Sequence, residues 1–305
     1  MLDGVLTKQI RGDEIIAGML AKYNKKPAFF FQKSPQDADR NWQKPTYPRV
    51  DYNIDMRYEP ERKASGNMTV NVWCTSESAA MPEDIEKRLV ELINGTFYTN
   101  AEKVTNCAIW RNSEAFVYEM PVTVGGNTAP EVFGVTMFFD LLQFPEQLTS
   151  EPDPIQGLNA WTREHFPKMT IIGLDELPTV RKPTDEHPVV YWRFEGTATT
   201  DVQSYAVQWY TAQFAAHVIA HTIPERNRWT KAIAERMQHD GEVLLTDQSP
   251  MFAKNITIRN NADPLREGGI LFVGKYGVLR KENSPPLNNA NFVNLKMEVT
   301  ANGKK

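Results

Sequence analysis

Cysteine is scarce in this sequence, which has 305 residues and two cysteines, Cys74 and Cys107. Two cysteines cannot build the disulfide framework that holds small secreted proteins together, so we expect folding in a reducing compartment. Cys74 lies inside a predicted strand and Cys107 borders another. We therefore predict that both side chains are buried and behave as small apolar groups.

Long apolar runs are also missing. No stretch approaches 18 uncharged apolar residues, the length that a membrane-spanning helix needs. The first 20 residues mix Asp3, Lys8, Arg11, Asp13 and Glu14 with apolar side chains, which is unlike the core of a signal peptide. We expect no membrane segment and no secretion signal.

A surplus of positive charge is absent as well. The 34 Lys and Arg residues and 38 Asp and Glu residues give a formal net charge of -4. Tight nonspecific binding to phosphate backbones needs a basic surface, so that function is not expected. By contrast, 15 Phe, 10 Tyr and 7 Trp residues can fill a large core.

The common catalytic and cofactor motifs do not occur. The sequence has no nucleophile elbow G-x-S-x-G, no Walker A loop, no G-x-G-x-x-G and no C-x-x-C. We therefore expect a protein that is not an enzyme, with no catalytic residues, no cofactor and no metal ligands.

His217 and His221 have the i, i+4 spacing of a zinc-binding helix. The Glu of the H-E-x-x-H motif is missing, because Val218 follows His217, and the surrounding Val, Ile, Phe, Trp and Tyr residues favour a strand. On a strand the two residues lie about 13 Å apart at ~3.3 Å per residue, too far for one metal ion. We expect two half-exposed histidines near a strand end.

Aromatic and basic side chains interleave at Tyr191, Trp192, Arg193 and Phe194. Stacking on single-stranded bases would need such residues on one exposed face. Strand alternation separates Tyr191 and Arg193 from Trp192 and Phe194. We predict that one face is core and the other is exposed, which does not favour nucleic-acid binding.

The order of predicted elements occurs twice along the chain. The first half contains a helix capped by Asp13, strands at 28–31, 48–56 and 68–74, a helix opening at Pro82, and strands near 107–111 and 132–142. The second half contains a helix at 158–166, strands at 169–172, 188–194 and 205–220, a helix opening at Pro224, and strands at 256–260 and 269–279. We infer a duplication, in which 256–260 matches 109–112.

The two long helices should each turn one face towards a sheet. Their apolar residues have helical spacing and are Ile85, Leu89 and Ile93 in the first half and Trp229, Ile233 and Met237 in the second.

Strands outnumber helices and follow one another between isolated helices. This order favours antiparallel sheets with helices on one face over a parallel βαβ fold. The predicted fold class is α+β with two related domains, each a mainly antiparallel sheet with helices packed on it. We place the domains at residues 1–148 and 155–283, and a polar, Asn-rich C-terminal arm at 284–305, in which only 292–299 could add a strand.

Several motifs of the first half resemble one known family. An N-terminal helix is followed by a strand opening Pro48-Arg49-Val50-Asp51-Tyr52, a strand ending Val70-Asn71-Val72-Trp73-Cys74-Thr75, and a helix opening Pro82-Glu83-Asp84-Ile85. These motifs resemble the tail-completion and tail-terminator proteins of long-tailed bacteriophages. The second half follows the pattern in outline, whereas members of the family usually have one domain.

The resemblance implies a structural virion protein without catalysis. Family members form a hexameric ring at the end of the tail tube, stop its polymerisation and dock to the head connector. The implied partners are further copies of this chain, a tail tube or sheath protein, a head connector protein, and DNA that passes without tight binding. The implied location is the virion tail or neck, after assembly in the host cytoplasm.

Two ring arrangements suit a chain with two copies of such a domain. Three chains could place six domains in one pseudo-six-fold ring, or six chains could close a ring with their first domains. Three-chain closure needs equivalent contact edges on both domains, and the strong divergence of the copies favours six chains. The arm at 284–305 is then expected to lie on a neighbouring chain.

Other functions remain open from the sequence. Within virion proteins, the alternatives are a head–tail connector, a minor capsid protein or a baseplate-associated protein. The alternative from another class is a small-molecule hydrolase with an unrecognised site, for which His217, His221 and His239 are the candidate imidazole cluster.

Overall fold

The computed structural model describes residues 2–57, 65–100, 104–118, 131–145, 147, 151–199, 206–261 and 263–279. Within these residues the helices are α1 (Leu2–Gly12), α2 (Glu14–Met19), α3 (Pro82–Ile93), α4 (Pro154–His165) and α5 (Ile223–Asp240). None of these helices combines the length and the apolar character needed to cross a lipid bilayer.

The strands of the described residues group into two large sheets and one small one. In chain order they are β1 (Lys22–Tyr23), β2 (Lys26–Pro27), β3 (Phe29–Phe31), β4 (Trp42–Gln43), β5 (Arg49–Arg57), β6 (Ser65–Thr75), β7 (Thr96–Thr99), β8 (Thr105–Tyr118), β9 (Val132–Phe144), β10 (Thr170–Ile171), β11 (Val180–Arg181), β12 (Val189–Thr199), β13 (Val207–Ile219), β14 (Glu242–Leu244), β15 (Pro250–Ile258) and β16 (Ile270–Leu279).

The two large sheets have the same strand order. The first is β11-β7-β8-β9-β6-β5-β3 and the second is β14-β15-β16-β13-β12-β10, so that they differ only by the added β11. The equivalent strands are therefore β3 and β10, β5 and β12, β6 and β13, β7 and β14, β8 and β15, and β9 and β16. Each sheet contains one parallel pair of neighbours, β3 with β5 in the first sheet and β10 with β12 in the second. All other neighbouring strands are antiparallel.

The positions of the helices repeat in the same way, since α3 follows β6 as α5 follows β13. The predicted class, α+β with two related and mainly antiparallel domains, is confirmed.

The strand registers align the two domains residue by residue. Val50 lies opposite Val72 in the first sheet, and Val190 lies opposite Val218 in the second. All four side chains are fully buried. Val190 therefore takes the position of Val50, which agrees with the predicted match of the strand at 48–56 with the strand at 188–194.

A hydrogen bond repeats at the next inward position of the same strand. The hydroxyl groups of Tyr52 and Thr7 lie 2.7 Å apart, and Trp192 Nε1 donates to Thr162 Oγ1 at 2.8 Å. Both threonines lie on the first long helix of their domain, α1 or α4. The equivalence of the two halves thus extends to how each helix is fixed to its sheet.

Both sheets also bulge at the same place. β8 gains a residue at Arg111, beside Phe139, and β15 gains one at 255–256, opposite Phe272. The registers make Asn112 equivalent to Thr257. The predicted match of 109–112 with 256–260, which equates Asn112 with Asn260, is therefore wrong by three residues, because the Arg-Asn pair recurs at non-equivalent positions and Asn260 lies beyond the end of β15.

Helices cover the inner face of the first sheet. Ile85, Leu89 and Ile93 of α3 are fully buried in one core with inward side chains of the sheet. Pro82 occupies the first turn, where its missing N–H leaves no intrahelical bond unmade. Gly95 follows the helix with a φ of 71°, a conformation that glycine adopts without strain.

The second domain is built in the same way. Ile233 and Met237 of α5 are buried, and Trp229 is partly buried against the same core. α5 ends at Gly241, whose φ of 70° gives a left-handed cap. The predicted sheet-facing residues of both long helices are confirmed.

Asp13 joins the N-terminal helices to α3. Its carboxylate caps α2 by accepting a hydrogen bond from the backbone N–H of Ile16 at 2.9 Å, and Arg88 Nη2 donates to it at 2.6 Å. The hydrogen bond from Arg88 is the main cause that lowers the pKa of Asp13 below its usual value. The ionised group therefore stabilises the fold at neutral pH, and this contribution is lost as the pH falls through the lowered pKa.

One strand crosses the division between the predicted domains. β11 lies in the loop between β10 and β12, yet it pairs antiparallel with β7 at the edge of the first sheet. The second domain itself begins with α4, whose N-cap is Asp153. The predicted arm at 284–305 and its candidate strand at 292–299 lie outside the described residues.

We expect Leu89→Asp to destabilise the protein by several kcal/mol. Removing a large core side chain costs roughly 2–5 kcal/mol, and the new carboxylate would be buried without a partner. The melting temperature measures this effect. Lys87→Asp, on the exposed side of the same helix, is the matched control and should change the melting temperature little. An unchanged melting temperature for Leu89→Asp would show that α3 does not pack in the core.

Candidate functional site

The predicted histidine pair is divided between two environments. His217 on β13 is fully buried, and its Nδ1 lies 2.8 Å from the carbonyl oxygen of Pro264. His221 lies beyond the end of β13 and is exposed. The expectation of two half-exposed histidines is wrong, because Phe144 of the first domain packs beside the His217 ring with the centroids 6.3 Å apart.

His239 lies at the opposite end of α5 from His221 and is 81% exposed. The helix rises ~1.5 Å per residue, so its first residue, Ile223, and His239 are roughly 24 Å apart. His217, His221 and His239 therefore do not form one site.

A different group of ionisable side chains lies between α4 and α5. Asp240 Oδ2 accepts hydrogen bonds from Trp161 Nε1 and Arg236 Nε, both at 2.9 Å. His165 Nε2 and His239 Nδ1 each lie 3.3 Å from an oxygen of the same carboxylate. Burial opposes ionisation, but the hydrogen bonds from Arg236, Trp161 and His239 keep the pKa of Asp240 below its usual value.

Asp240 is thus an ionised anchor that holds the ends of two helices together. Across the part of the chain that the structure describes, no group of three or more His, Cys, Asp and Glu side chains is placed to hold a metal ion.

A cleft of about 730 Å³ opens between the two domains. Its lining includes Thr99, Thr105, Leu174, Asp175 and Glu176. Asp175 is already engaged: it pairs with Arg163, and it accepts a hydrogen bond from the backbone N–H of Ile171 at 2.7 Å. This carboxylate therefore holds the β10 turn in place.

The outer faces of the two sheets meet in an apolar seam. Its nine side chains are all at most 6% exposed; Phe97, Cys107, Leu142 and Phe144 come from the first domain, and Ile172, Val189, Tyr191, Ile219 and Leu265 from the second. The rings of Phe144 and Tyr191 meet edge to face with their centroids 5.2 Å apart. Burial of apolar surface is the main favourable term in folding, so the seam is a third core that both domains share.

The seam corrects one prediction and confirms another. Tyr191 is buried rather than exposed, because the first domain covers the outer face of β12 at this point. The interleaved residues at 191–194 therefore offer no stacking platform. Cys74 and Cys107 are both fully buried, as predicted, with Cys107 in the seam.

Polar contacts fix the relative position of the sheets. Tyr191 Oη donates to the carbonyl oxygen of Pro145 at 2.9 Å. The amide of Gln147 bonds to β12 as a neighbouring strand would, donating to Trp192 O at 2.6 Å and accepting from Phe194 N at 2.8 Å. The segment that leaves the first sheet is thereby tied to the second.

An ion group closes the rim of the seam. Asp140 on β9 of the first domain pairs with Arg266 of the second at 2.5 Å and with Arg111 of its own domain at 3.2 Å. The carboxylate is 13% exposed, whereas both arginines reach solvent. Bridging of this kind fixes geometry more than it adds stability.

The seam joins unlike faces of two equivalent domains. The first domain contributes the outer face of β7, β8 and β9, whereas the second contributes the outer face of β12 and β13, the equivalents of β5 and β6. A contact between unlike faces is heterologous. On each domain it leaves unused the face that is equivalent to the one contributed by the other domain. We call these counterparts patch A, on the first domain, and patch B, on the second.

Patch A lies on the outer side of β5 and β6. Arg49, Asp51 and Trp73 occupy the positions of the seam residues Val189, Tyr191 and Ile219. Its remaining members are the neighbouring Asn53 and Asp55 of β5 and Asp37 of the β3–β5 loop, which pairs with Arg49.

Asp51 is the most deeply placed charge of patch A. It is 7% exposed and accepts hydrogen bonds from Asn71 Nδ2 at 2.9 Å, Trp73 Nε1 at 2.8 Å and Ser34 Oγ at 3.3 Å. Burial raises the pKa of Asp51, and these hydrogen bonds offset the effect in part. A cation near this carboxylate would favour its ionised form.

Patch B lies on the outer side of β14, β15 and β16. Glu242, Phe252, Lys275 and Gly277 occupy the positions of the seam residues Phe97, Cys107, Leu142 and Phe144. Lys254 lies beside them on β15 and is exposed, as are Phe252 and Glu242.

The two patches have opposite charge. Patch A carries three carboxylates and one arginine, whereas patch B carries two lysines and one carboxylate. Sequence reasoning missed both patches, because they are defined only by the registers that make the two sheets equivalent.

No known protein family matches this chain, and no curated protein is significantly similar to it. The resemblance to tail-terminator proteins therefore rests on the motifs at 48–52, 70–75 and 82–89.

We expect Phe144→Ala to loosen both sheets, because this ring packs between them. The matched variant is Phe139→Ala on the same strand, whose ring is equally buried but faces the inner core of the first domain. Both should lose about 3–5 kcal/mol of stability. Hydrogen exchange should rise in β12 for Phe144→Ala only. Unchanged exchange in β12 for that variant would show that the seam does not couple the domains.

We also expect the protein to bind no zinc through His217 or His221. The two residues lie in different environments, and the Glu of the zinc motif is absent. Elemental analysis of protein purified without chelator should find far less than one zinc per chain. Stoichiometric zinc that is lost in His217→Ala would contradict this prediction.

Proposed function

We propose that this chain is a structural virion protein that forms a ring at the end of a bacteriophage tail or tail-like particle. In this role it terminates the tail tube and joins it to the head connector. The proposal combines the motifs at 48–89 with one structural observation, the heterologous seam between two copies of one fold.

The seam supports a role in assembly because it is a heterologous contact. Repeated heterologous contacts build closed rings when the rotation between units closes, and open filaments when it does not. Patch A and patch B are the counterparts that a further contact of this type would use. Asp240 and Asp175, the engaged carboxylates described above, have structural partners.

The proposed partners are further copies of the chain, the tail tube or sheath protein and the head connector protein, at the neck of the virion. DNA would pass through the ring without tight binding, in line with the net charge of -4. Six chains per ring is the arrangement that the divergence of the copies favours, and three chains is the alternative.

Light scattering of the purified chain, alone and with its tail-tube protein, tests the proposal. We expect a closed assembly of three or six chains of 34.8 kDa each, seen as a ring by electron microscopy. A chain that remains monomeric under both conditions would contradict the proposed function. A closed ring that binds a connector or baseplate protein but not the tube would instead indicate one of the other virion roles.

A further inference from the structure

The chain contains a precedent for how a further copy could bind. Inside one chain, the outer face of β7–β9 packs against the outer face of β12 and β13. Patch B of the second domain is equivalent to the β7–β9 face. Patch A of the first domain is equivalent to the face of β12 and β13. Each chain therefore carries both halves of a second contact of the same type.

The chemistry of the two patches is complementary rather than alike. Where the seam has Leu142, patch B has Lys275, and where the seam has Tyr191, patch A has Asp51. In the seam, Phe144 packs on Tyr191, and its counterpart Gly277 has no side chain. In a repeated contact the Lys275 ammonium group would come near Asp51, and the side chains of Val207 and Trp209 would occupy the space beside Gly277.

Aromatic groups lie beside these charges on both patches. Trp73 of patch A packs against Phe116 with the centroids 4.8 Å apart and is partly exposed. Phe252 of patch B is 36% exposed, and Lys275 Nζ lies 5.2 Å from the centroid of the Trp209 ring. Aromatic anchors surrounded by charge are typical of protein–protein contacts.

The sheet edges are consistent with the same arrangement. β7 pairs on its outer side with β11, which comes from the β10–β12 loop. Its counterpart β14 pairs with β15 alone among the described strands. The first-domain counterpart of the β10–β12 loop is the β3–β5 loop, whose strand β4 pairs with β1 of its own domain and whose Ser34 contacts Asp51 at the margin of patch A.

We propose that patch A of one chain binds patch B of a second copy of this chain, in the head-to-tail sense of the seam. This inference rests on the proposed function, since it names the contact through which the ring forms. First and second domains would alternate around the ring, so that three chains would form a ring of six domains and six chains a ring of twelve. The charged patches would make the contact between chains reversible, whereas the apolar seam within each chain is permanent.

Two variants at exposed or partly exposed positions test the contact. Asn53→Lys places a cation between Asp51 and Asp55 on patch A, and Lys275→Glu reverses a charge on patch B. Each should weaken self-association roughly tenfold or more, because like charges then face each other. Lys231→Glu makes the same charge change on the helical side of the second domain, where the side chain is 68% exposed, and should associate as the unaltered chain does.

Mixing the two variants distinguishes this contact from others. Asn53→Lys retains an intact patch B and Lys275→Glu an intact patch A, so an equal mixture should associate, with one-to-one dimers as the smallest product, under conditions in which each variant alone is monomeric. Light scattering measures the mass, and circular dichroism confirms that both variants are folded.

Three results would overturn the proposal. If the unaltered chain forms a ring and both variants form it equally well, the contact lies elsewhere and the proposed function stands. If each variant is monomeric and their mixture is also monomeric, the two patches do not bind each other. If the unaltered chain stays monomeric even with its tail-tube protein, this contact and the proposed function both fail.

Discussion

The packing of two sheet faces on each other determines the architecture of this protein. Each domain covers the inner face of its sheet with helices, and the outer face is left to find another partner. Within the chain, Phe97, Cys107, Leu142 and Phe144 meet the second domain and are buried with it. Because the two domains are equivalent but contribute unlike faces to the seam, patch A remains outside the seam on the first domain and patch B on the second. The duplication thus supplies the seam, which is permanent, and the two patches through which we propose that a second copy binds.

The inner faces and helices could be predicted from sequence because they follow regular periods. The spacing of Ile85, Leu89 and Ile93 requires one apolar helix face, and alternation in β5 and β6 requires one apolar sheet face. The helix α1 was not predicted, since Leu2–Gly12 has neither a capping residue nor a proline to mark its start. β11 was not predicted either, because Val180–Arg181 is a two-residue strand that depends on the edge of a distant sheet.

The seam left one signal in the sequence that the alternation argument overlooked. Residues 188–192 are apolar without interruption, which is typical of a strand buried on both faces. The patches left no such signal in the sequence, because the equivalence of Asp51 to Tyr191 and of Lys275 to Leu142 depends on strand registers that only the folded sheets define. The same holds for Asp240 and His165, which lie on two helices far apart in sequence. The divergence of the two copies indicated that their contact surfaces differ. In the structure these surfaces, patch A and patch B, have opposite charge.

A reconstruction of the isolated oligomer by electron microscopy tests the central claim most directly. Neighbouring chains should meet with their sheets back to back, with Asp51 of one chain close to Lys275 of the next. The rotation between chains should resemble the rotation between the two domains of one chain. Neighbours that meet through α3 or α5, with patch A and patch B both facing solvent, would contradict it.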